Sequence, residues 1–120
     1  MLATTTALLI LINSVRLAPL KMDSELQNLA SQRCTTMATF SHDDFFKTYS
    51  KLINDKYKYA GENLALGYSS SKQIFEALEA SPTHHDNNHS KNYQKVGVAS
   101  CQKAPGVWLE VILFAGYKYK

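Results

Sequence analysis

The stretch Ala60-Gly61-Glu62-Asn63-Leu64-Ala65 sets a carboxylate and an amide directly after a glycine and ahead of apolar residues. Because glycine tolerates backbone angles that other residues avoid, the pattern predicts a turn at Gly61 that directs the carboxylate inward. Asn63 would clamp this turn. Upstream lies Phe40-Ser41-His42, and downstream lies Ser81-Pro82-Thr83-His84. In each of the three segments a turn or cap residue lies beside one reactive side chain. These side chains, His42, Glu62 and His84, together form the candidate site.

Composition bounds the class of protein. The chain has 120 residues, 45% of them hydrophobic, and a net charge of +3. This predicts a single domain over residues 1–120 that is long enough to bury a core. The lysines are scattered rather than gathered in the basic stripe that nucleic-acid binders carry, so we expect no nucleic-acid partner.

Cys34 and Cys101 are the two cysteines of the chain. Neither belongs to a short-spaced pair, which excludes a structural zinc knuckle. They are either two buried free thiols or one long-range disulfide of an exported protein. The sequence leaves both alternatives open.

The apolar run at residues 7–12 could pass for the core of a signal peptide. No Lys or Arg precedes it, no small-residue cleavage site follows it, and it is too short to span a bilayer. It therefore predicts a buried first helix, and we expect no transmembrane segment. An intracellular location stays open, and so does a signal or lipid anchor removed ahead of Met1.

Apolar residues recur at steps of three and four in three further segments, which predicts three more helices. Asp23 would cap the first of them, and serines 69–71 would cap the last. In the first of these helices we expect Arg33 to lie off the apolar stripe. The stripes are Leu26, Leu29, Ala30, Cys34 and Met37, then Phe45, Phe46, Tyr49, Leu52 and Ile53, then Ile74, Phe75 and Leu78.

The last part of the chain changes its pattern. Ser81-Pro82 predicts one short helical turn, because proline is favoured at the first helical position, and the polar run 86–92 predicts a loop. Val96 and Val98 alternate with small residues as in a strand, and the nearly apolar run 107–114 predicts a central strand covered on both faces. Helices followed by paired strands predict an α+β domain with helices on a small antiparallel sheet.

His42, Glu62 and His84 are two imidazoles and one carboxylate from three separate segments. A divalent ion such as zinc accepts this ligand set and keeps one position open to water or substrate. The trio could instead act as a general base with an orienting carboxylate. Each residue also has a purely structural interpretation as a cap or a solvent-facing side chain, and solvent-facing is the prediction for His85 and His89.

The chain resembles a single-domain bacterial member of the CAP superfamily, the group of cysteine-rich secretory proteins, wasp-venom antigens and plant pathogenesis-related proteins. The matching pieces occur in the family's order over nearly the whole chain. They are Leu11-Ile12-Asn13-Ser14-Val15-Arg16, residues 18–26, Met37-Ala38-Thr39-Phe40-Ser41-His42, Ala60-Gly61-Glu62-Asn63-Leu64-Ala65, Ser81-Pro82-Thr83-His84, Val96-Gly97-Val98-Ala99 and Val107-Trp108-Leu109.

The resemblance implies a three-layer α-β-α sandwich and a cleft in which His42 and His84 face each other with Glu62 between them. Some relatives bind zinc or another divalent ion there. In many relatives a second acidic residue completes the set, and Glu79 is the nearest candidate for that fourth ligand.

The residues that would support this cleft include Asn63, Ser41 and His85. The chain departs from the family pattern at His85, where arginine is common, at Thr83, where glycine is common, and at Leu78, often a tryptophan. These changes alter the cleft wall and could weaken a metal site or add a ligand.

Three functions are compatible with the resemblance. The first is a non-enzymatic, monomeric binding module, secreted or at a cell surface, whose cleft holds a divalent metal and a ligand or partner. The second is a hydrolase that uses a metal-bound water or the hydroxyl of Ser41 or Ser81.

The third function is a sterol or fatty-acid carrier, with a groove between helices. Helical spacing favours a core role for the same residues. The residues of this predicted groove are Phe45, Phe46, Tyr49 and Leu52.

Overall fold

The computed structural model of the chain describes residues 4–45, 47, 49–50 and 56–117. Its elements in chain order are α1 (Thr4–Ser14), β1 (Lys21–Met22), α2 (Ser24–Thr36), β2 (Tyr57–Leu66), α3 (Ser71–Ala80), α4 (Pro82–His89), β3 (Lys95–Ala104) and β4 (Val107–Tyr117). Residues 45, 47, 49 and 50 are also helical. The remainder of the predicted helix there, with Phe46, Leu52 and Ile53, lies outside the described residues.

The strands of the described chain form one sheet in the order β1-β3-β4-β2. β4 pairs antiparallel with β2 and with β3, and the short β1 runs parallel to β3. β3 and β4 are joined at Pro105-Gly106, where Gly106 has a φ of 74°, a conformation that glycine adopts without strain. The predicted α+β class is confirmed.

Both faces of the sheet are covered. Along β4, Val111 and Leu113 belong to the apolar core beneath α2, whereas Ile112 and Phe114 belong to the core beneath α1 and α3. Successive side chains of a strand point to opposite faces, so β4 contributes apolar residues to both cores. The predicted three-layer α-β-α sandwich is confirmed, and its two helical layers enclose the sheet.

The predicted helix caps are confirmed. Asp23 Oδ2 accepts a hydrogen bond from the backbone N–H of Leu26 at 2.9 Å, and Ser70 Oγ accepts one from Gln73 at 3.2 Å. Each cap satisfies a backbone donor that the first turn of a helix leaves without a partner.

Helix α1 corresponds to the apolar run near the start of the sequence. Leu8 and Ile12 are fully buried, whereas Ile10 on the opposite side is 64% exposed. Within the described ranges, none of the helices is both long enough and apolar enough to cross a membrane.

The predicted turn at Gly61 is wrong. Gly61 lies inside β2, paired with Phe114, and positive φ angles occur elsewhere among the described glycines. The sequence needs glycine there for a different reason: a Cβ atom at this position would overlap the hydroxyl of Tyr93 and crowd the side chain of Asn87. Close approach of neighbouring side chains, rather than backbone conformation, requires the glycine.

The polar run 86–92, predicted as a loop, is helical through His89, and only residues 90–92 lie outside the helix. Helix α4 begins with Pro82 at its first turn and continues through His89. Asn88, near its end, is fully buried and makes hydrogen bonds to Asn63 and Glu79. These tertiary contacts stabilise a helix that has no apolar stripe of its own.

Cys34 and Cys101 form a disulfide that joins α2 to β3, with 6.1 Å between their Cα atoms. The alternative of two free thiols is therefore wrong. Both residues lie in or against the core between α2 and the sheet.

Candidate functional site

A cleft opens beside β2, the strand at one edge of the sheet. It encloses about 390 Å³. The two histidines and the glutamate that the sequence singled out all line it. The lining residues are His42, Phe45, Glu62, Thr83, His84 and Asn87.

Glu62 lies at the bottom of the cleft, and its side chain is 2% exposed. Its carboxylate is held by two hydrogen bonds from Arg33, from Nε to Oε2 at 2.8 Å and from Nη2 to Oε1 at 3.0 Å. The bond to Glu62 raises the pKa of the Arg33 guanidinium. A buried carboxylate with this bidentate partner is fixed in orientation.

The role of Arg33 was missed in the sequence, where it was assigned to a position off the apolar stripe. Arg33 is 6% exposed and lies three residues after Ala30 and seven after Leu26, which places all three on one helical face. An arginine on a buried face indicates a buried acidic partner, because isolated buried charges are strongly disfavoured. That signal was present in the spacing.

His42 extends over Glu62 from the segment before the helical residue Phe45. Its Nδ1 is 3.0 Å from Glu62 Oε1, and its imidazole is 57% exposed. Ser41 supports this segment: its carbonyl accepts a hydrogen bond from Arg33 Nη2 at 3.0 Å, and its hydroxyl accepts one from the N–H of Asp43 at 3.0 Å. Arg33 thus positions both the carboxylate and the segment that carries the histidine.

His84 reaches the cleft from the first turn of α4. Its Nδ1 is 2.9 Å from Ser81 Oγ. Burial lowers the pKa of His84, and the nearby His42 lowers it further. The imidazole is therefore neutral at neutral pH, the form in which histidine binds metals.

Asn63 does not clamp a turn but ties α4 to β2. It is fully buried and points to the opposite face of the strand from Glu62. Its amide group donates to the carbonyl of His84 at 3.2 Å and to Asn88 Oδ1 at 3.0 Å, and its oxygen accepts from Asn87 at 2.8 Å. These bonds fix the position of His84 relative to Glu62.

Residues 11–112 match the sequence profile of the cysteine-rich secretory protein family, CAP. The chain belongs to this family. Among curated proteins no sequence matches the chain.

The CAP fold is also seen in solved structures. An outer surface protein of Borrelia burgdorferi superposes with a TM-score of 0.83 at 21% identity, over 94% of this chain and 92% of that one. A cysteine-rich secretory protein of Staphylococcus aureus gives 0.78 at 18% identity over 94% of this chain, which spans only 38% of the staphylococcal one. The venom allergen-like protein 4 of Schistosoma mansoni gives 0.73 at 14% identity, over 98% of this chain and 91% of that one. At these identities the likeness concerns the fold.

In this CAP domain Glu79 and His85 do not line the cleft. Glu79 Oε1 is 2.7 Å from Nε2 of His89, and Glu79 Oε2 accepts a hydrogen bond from Asn88 at 3.1 Å. The rings of His85 and His89 stack with 4.0 Å between centroids. Because α4 continues to residue 89, His85 and His89 share a helical face toward α3, and Glu79 joins them there.

The lipid groove expected from the resemblance falls partly in the described chain. Phe45 and Tyr49 meet edge to face with 4.7 Å between ring centroids, and Tyr49 is 2% exposed. The enclosed space beside them is about 10 Å³, no larger than a single water molecule requires. Tyr49 belongs to the core and Phe45 packs against it, and Phe46 and Leu52 lie outside the described residues.

Proposed function

We propose that this CAP domain is a non-enzymatic, monomeric binding module that holds zinc or another divalent cation between His42 and His84. The observation that carries the proposal is that both imidazoles use the same nitrogen, Nδ1, to contact a protein oxygen. In each ring Nδ1 lies against a protein oxygen, of Glu62 at 3.0 Å and of Ser81 at 2.9 Å. Nε2 is then the nitrogen through which either ring would bind a metal. Metal-binding histidines are oriented in this way by partners on their other nitrogen.

Glu62 was expected to be the anionic ligand. Its contacts with Arg33 and His42 engage both carboxylate oxygens, which favours a role in orienting these side chains over direct metal binding. In the proposed site Glu62 orients His42 and contributes its negative charge without contacting the metal. Two imidazoles then leave coordination positions for water and for an acidic or polar group of a ligand or partner.

We further propose that the module works outside the cytoplasm, secreted or at a cell surface. The Cys34–Cys101 disulfide supports this location, because such bonds persist in oxidising compartments. The Borrelia relative, named as an outer surface protein, points the same way.

Calorimetric titration of metal-stripped protein with zinc at neutral pH tests the proposal. The His42→Ala/His84→Ala variant should bind one equivalent of zinc fewer than the wild type. The matched comparison is His85→Ala/His89→Ala, which also removes two imidazoles but keeps both cleft histidines, so it should still bind one zinc equivalent in the cleft. If the cleft variant bound as many zinc ions as the wild type, the proposal would be refuted.

A hydrolase is the second candidate, and one contact favours it. Ser81 occupies the N-cap position of α4 but makes no capping bond; its hydroxyl instead lies 2.9 Å from His84 Nδ1. A hydroxyl beside a neutral imidazole is the minimal arrangement for a nucleophile with its base. Turnover of an ester or peptide panel that Ser81→Ala abolishes, with metal chelation having no effect, would establish this activity over binding.

A further inference from the structure

A second group of metal-binding side chains lies away from the cleft, at the junction of α3 and α4. Glu79 comes from α3, and His85 and His89 come from α4, four residues apart on one helical face. From each residue one ligand atom can be chosen such that all three atoms lie within 4.8 Å of one another. We propose that Glu79, His85 and His89 form a further divalent-cation site of the zinc type, independent of the cleft.

The distances are those of a site that needs only small movements to close. Two ligands at 2.0–2.1 Å from a tetrahedral zinc ion are about 3.3 Å apart. Glu79 Oε1 and His89 Nε2 are now 2.7 Å apart in a direct hydrogen bond, so an ion would separate them by a fraction of an ångström. His85 is already stacked on His89 and would swing its ring nitrogen toward the same point.

A chain of hydrogen bonds holds the Glu79 carboxylate in place. Glu79 Oε2 accepts a hydrogen bond at 3.1 Å from Asn88, which is fully buried. Asn88 is fixed in turn by Asn63, at 3.0 Å, and by Arg16, which donates to its carbonyl at 2.9 Å. Bonds of this kind fix a ligating carboxylate and raise metal affinity, and here they leave Oε1 directed at the histidines.

The group is also accessible. The side chains of Glu79, His89 and His85 are 20%, 33% and 46% exposed, so an ion can enter without unfolding the helices. Asp86 lies nearby, 3.7 Å from His85 Nδ1, and adds negative charge at the rim. Two imidazoles and one carboxylate fill three positions of a zinc ion, and the fourth faces solvent.

The test isolates this site in protein whose cleft histidines are already replaced. In the His42→Ala/His84→Ala variant, Zn²⁺ should still bind with one equivalent by calorimetry. The imidazole NMR resonances of His85 and His89 should shift on binding. Adding Glu79→Gln or His89→Ala should weaken zinc binding at least tenfold, and Glu76→Gln, which removes an exposed acid of the same helix, should leave it unchanged.

Two results would overturn the proposal: no zinc binding in the cleft-deficient variant, or binding that Glu79→Gln and His89→Ala leave unaltered. Glu79→Gln keeps an acceptor for the Asn88 hydrogen bond, so it should fold even if His89→Ala does not. Circular dichroism of each variant establishes this. Because both cleft histidines are replaced in every protein of the series, the outcome does not depend on the function proposed for the cleft.

Discussion

Replacing Arg33 by methionine should destabilise the domain more than any exposed-residue change near the cleft. The substitution leaves the Glu62 carboxylate, 2% exposed, without its bidentate partner. Removing one member of a buried ion pair costs about 3–5 kcal/mol, because the remaining charge stays desolvated. Each 1.4 kcal/mol is tenfold, so the folded-to-unfolded ratio should fall by a factor of roughly 10²–10⁴. The bond from Arg33 to the carbonyl of Ser41 is lost as well.

Urea unfolding of metal-stripped, disulfide-intact protein measures the effect. The decisive control is the double variant Arg33→Met/Glu62→Leu, because replacing both ions by apolar side chains is often neutral or stabilising. The double variant should therefore recover most of the lost stability. A loss below about 1 kcal/mol in Arg33→Met, or a double variant as unstable as the single one, would refute the assignment of a buried, tightly coupled pair.

Three further outcomes follow from other parts of the structure. Gly61→Ala should lower the free energy of unfolding by about 1–3 kcal/mol through overpacking against Tyr93, and shortening that tyrosine to phenylalanine should restore part of it in urea titrations. Reducing the Cys34–Cys101 bond, which spans 67 residues, should cost about 4 kcal/mol, seen as a lower urea midpoint in dithiothreitol; an unchanged midpoint would contradict it. His84 should titrate below its ordinary pKa of 6.5 in NMR experiments, because burial disfavours its charged form. Since the folded state then binds the proton less readily than the unfolded one, the contribution of His84 to stability is lost as the pH falls below about 6.5.

The residues of the cleft could be named from the sequence because each carries local markers. His42, Glu62 and His84 sit in short segments whose order resembles the CAP family, and the structure brings all three to one cleft. The function of Arg33 was not recognised, although its helical spacing from Leu26 and Ala30 placed it on the buried face. The pairing of Glu79 with His89 had no local marker, because it depends on how α3 and α4 pack.

The same division applies to backbone structure. The strand at residues 107–114 was predictable because a nearly apolar run, interrupted only by Glu110, is typical of a strand covered on both faces. The position of Gly61 within a strand was not predictable. Glycine is required there by the close approach of Tyr93, a residue 32 positions away, which no local pattern reveals. The second half of helix α4, residues 86–89, was predicted as a loop for a related reason: buried hydrogen bonds through Asn88 replace the apolar stripe by which helices are recognised.

By itself the sequence determined the α+β class and the helix caps, because apolar periodicity and capping chemistry act over a few residues. The three-layer sandwich and the three side chains of the cleft were expected from the resemblance to the CAP family. The tertiary structure decided which groups those side chains bind. In the folded chain the Glu62 carboxylate contacts Arg33 and His42, Cys34 is bonded to Cys101, and Glu79 lies beside the histidines of α4. Hydrogen bonds and ion pairs require atoms from distant parts of the chain to be placed to within a few tenths of an ångström, and only the packed fold fixes those positions.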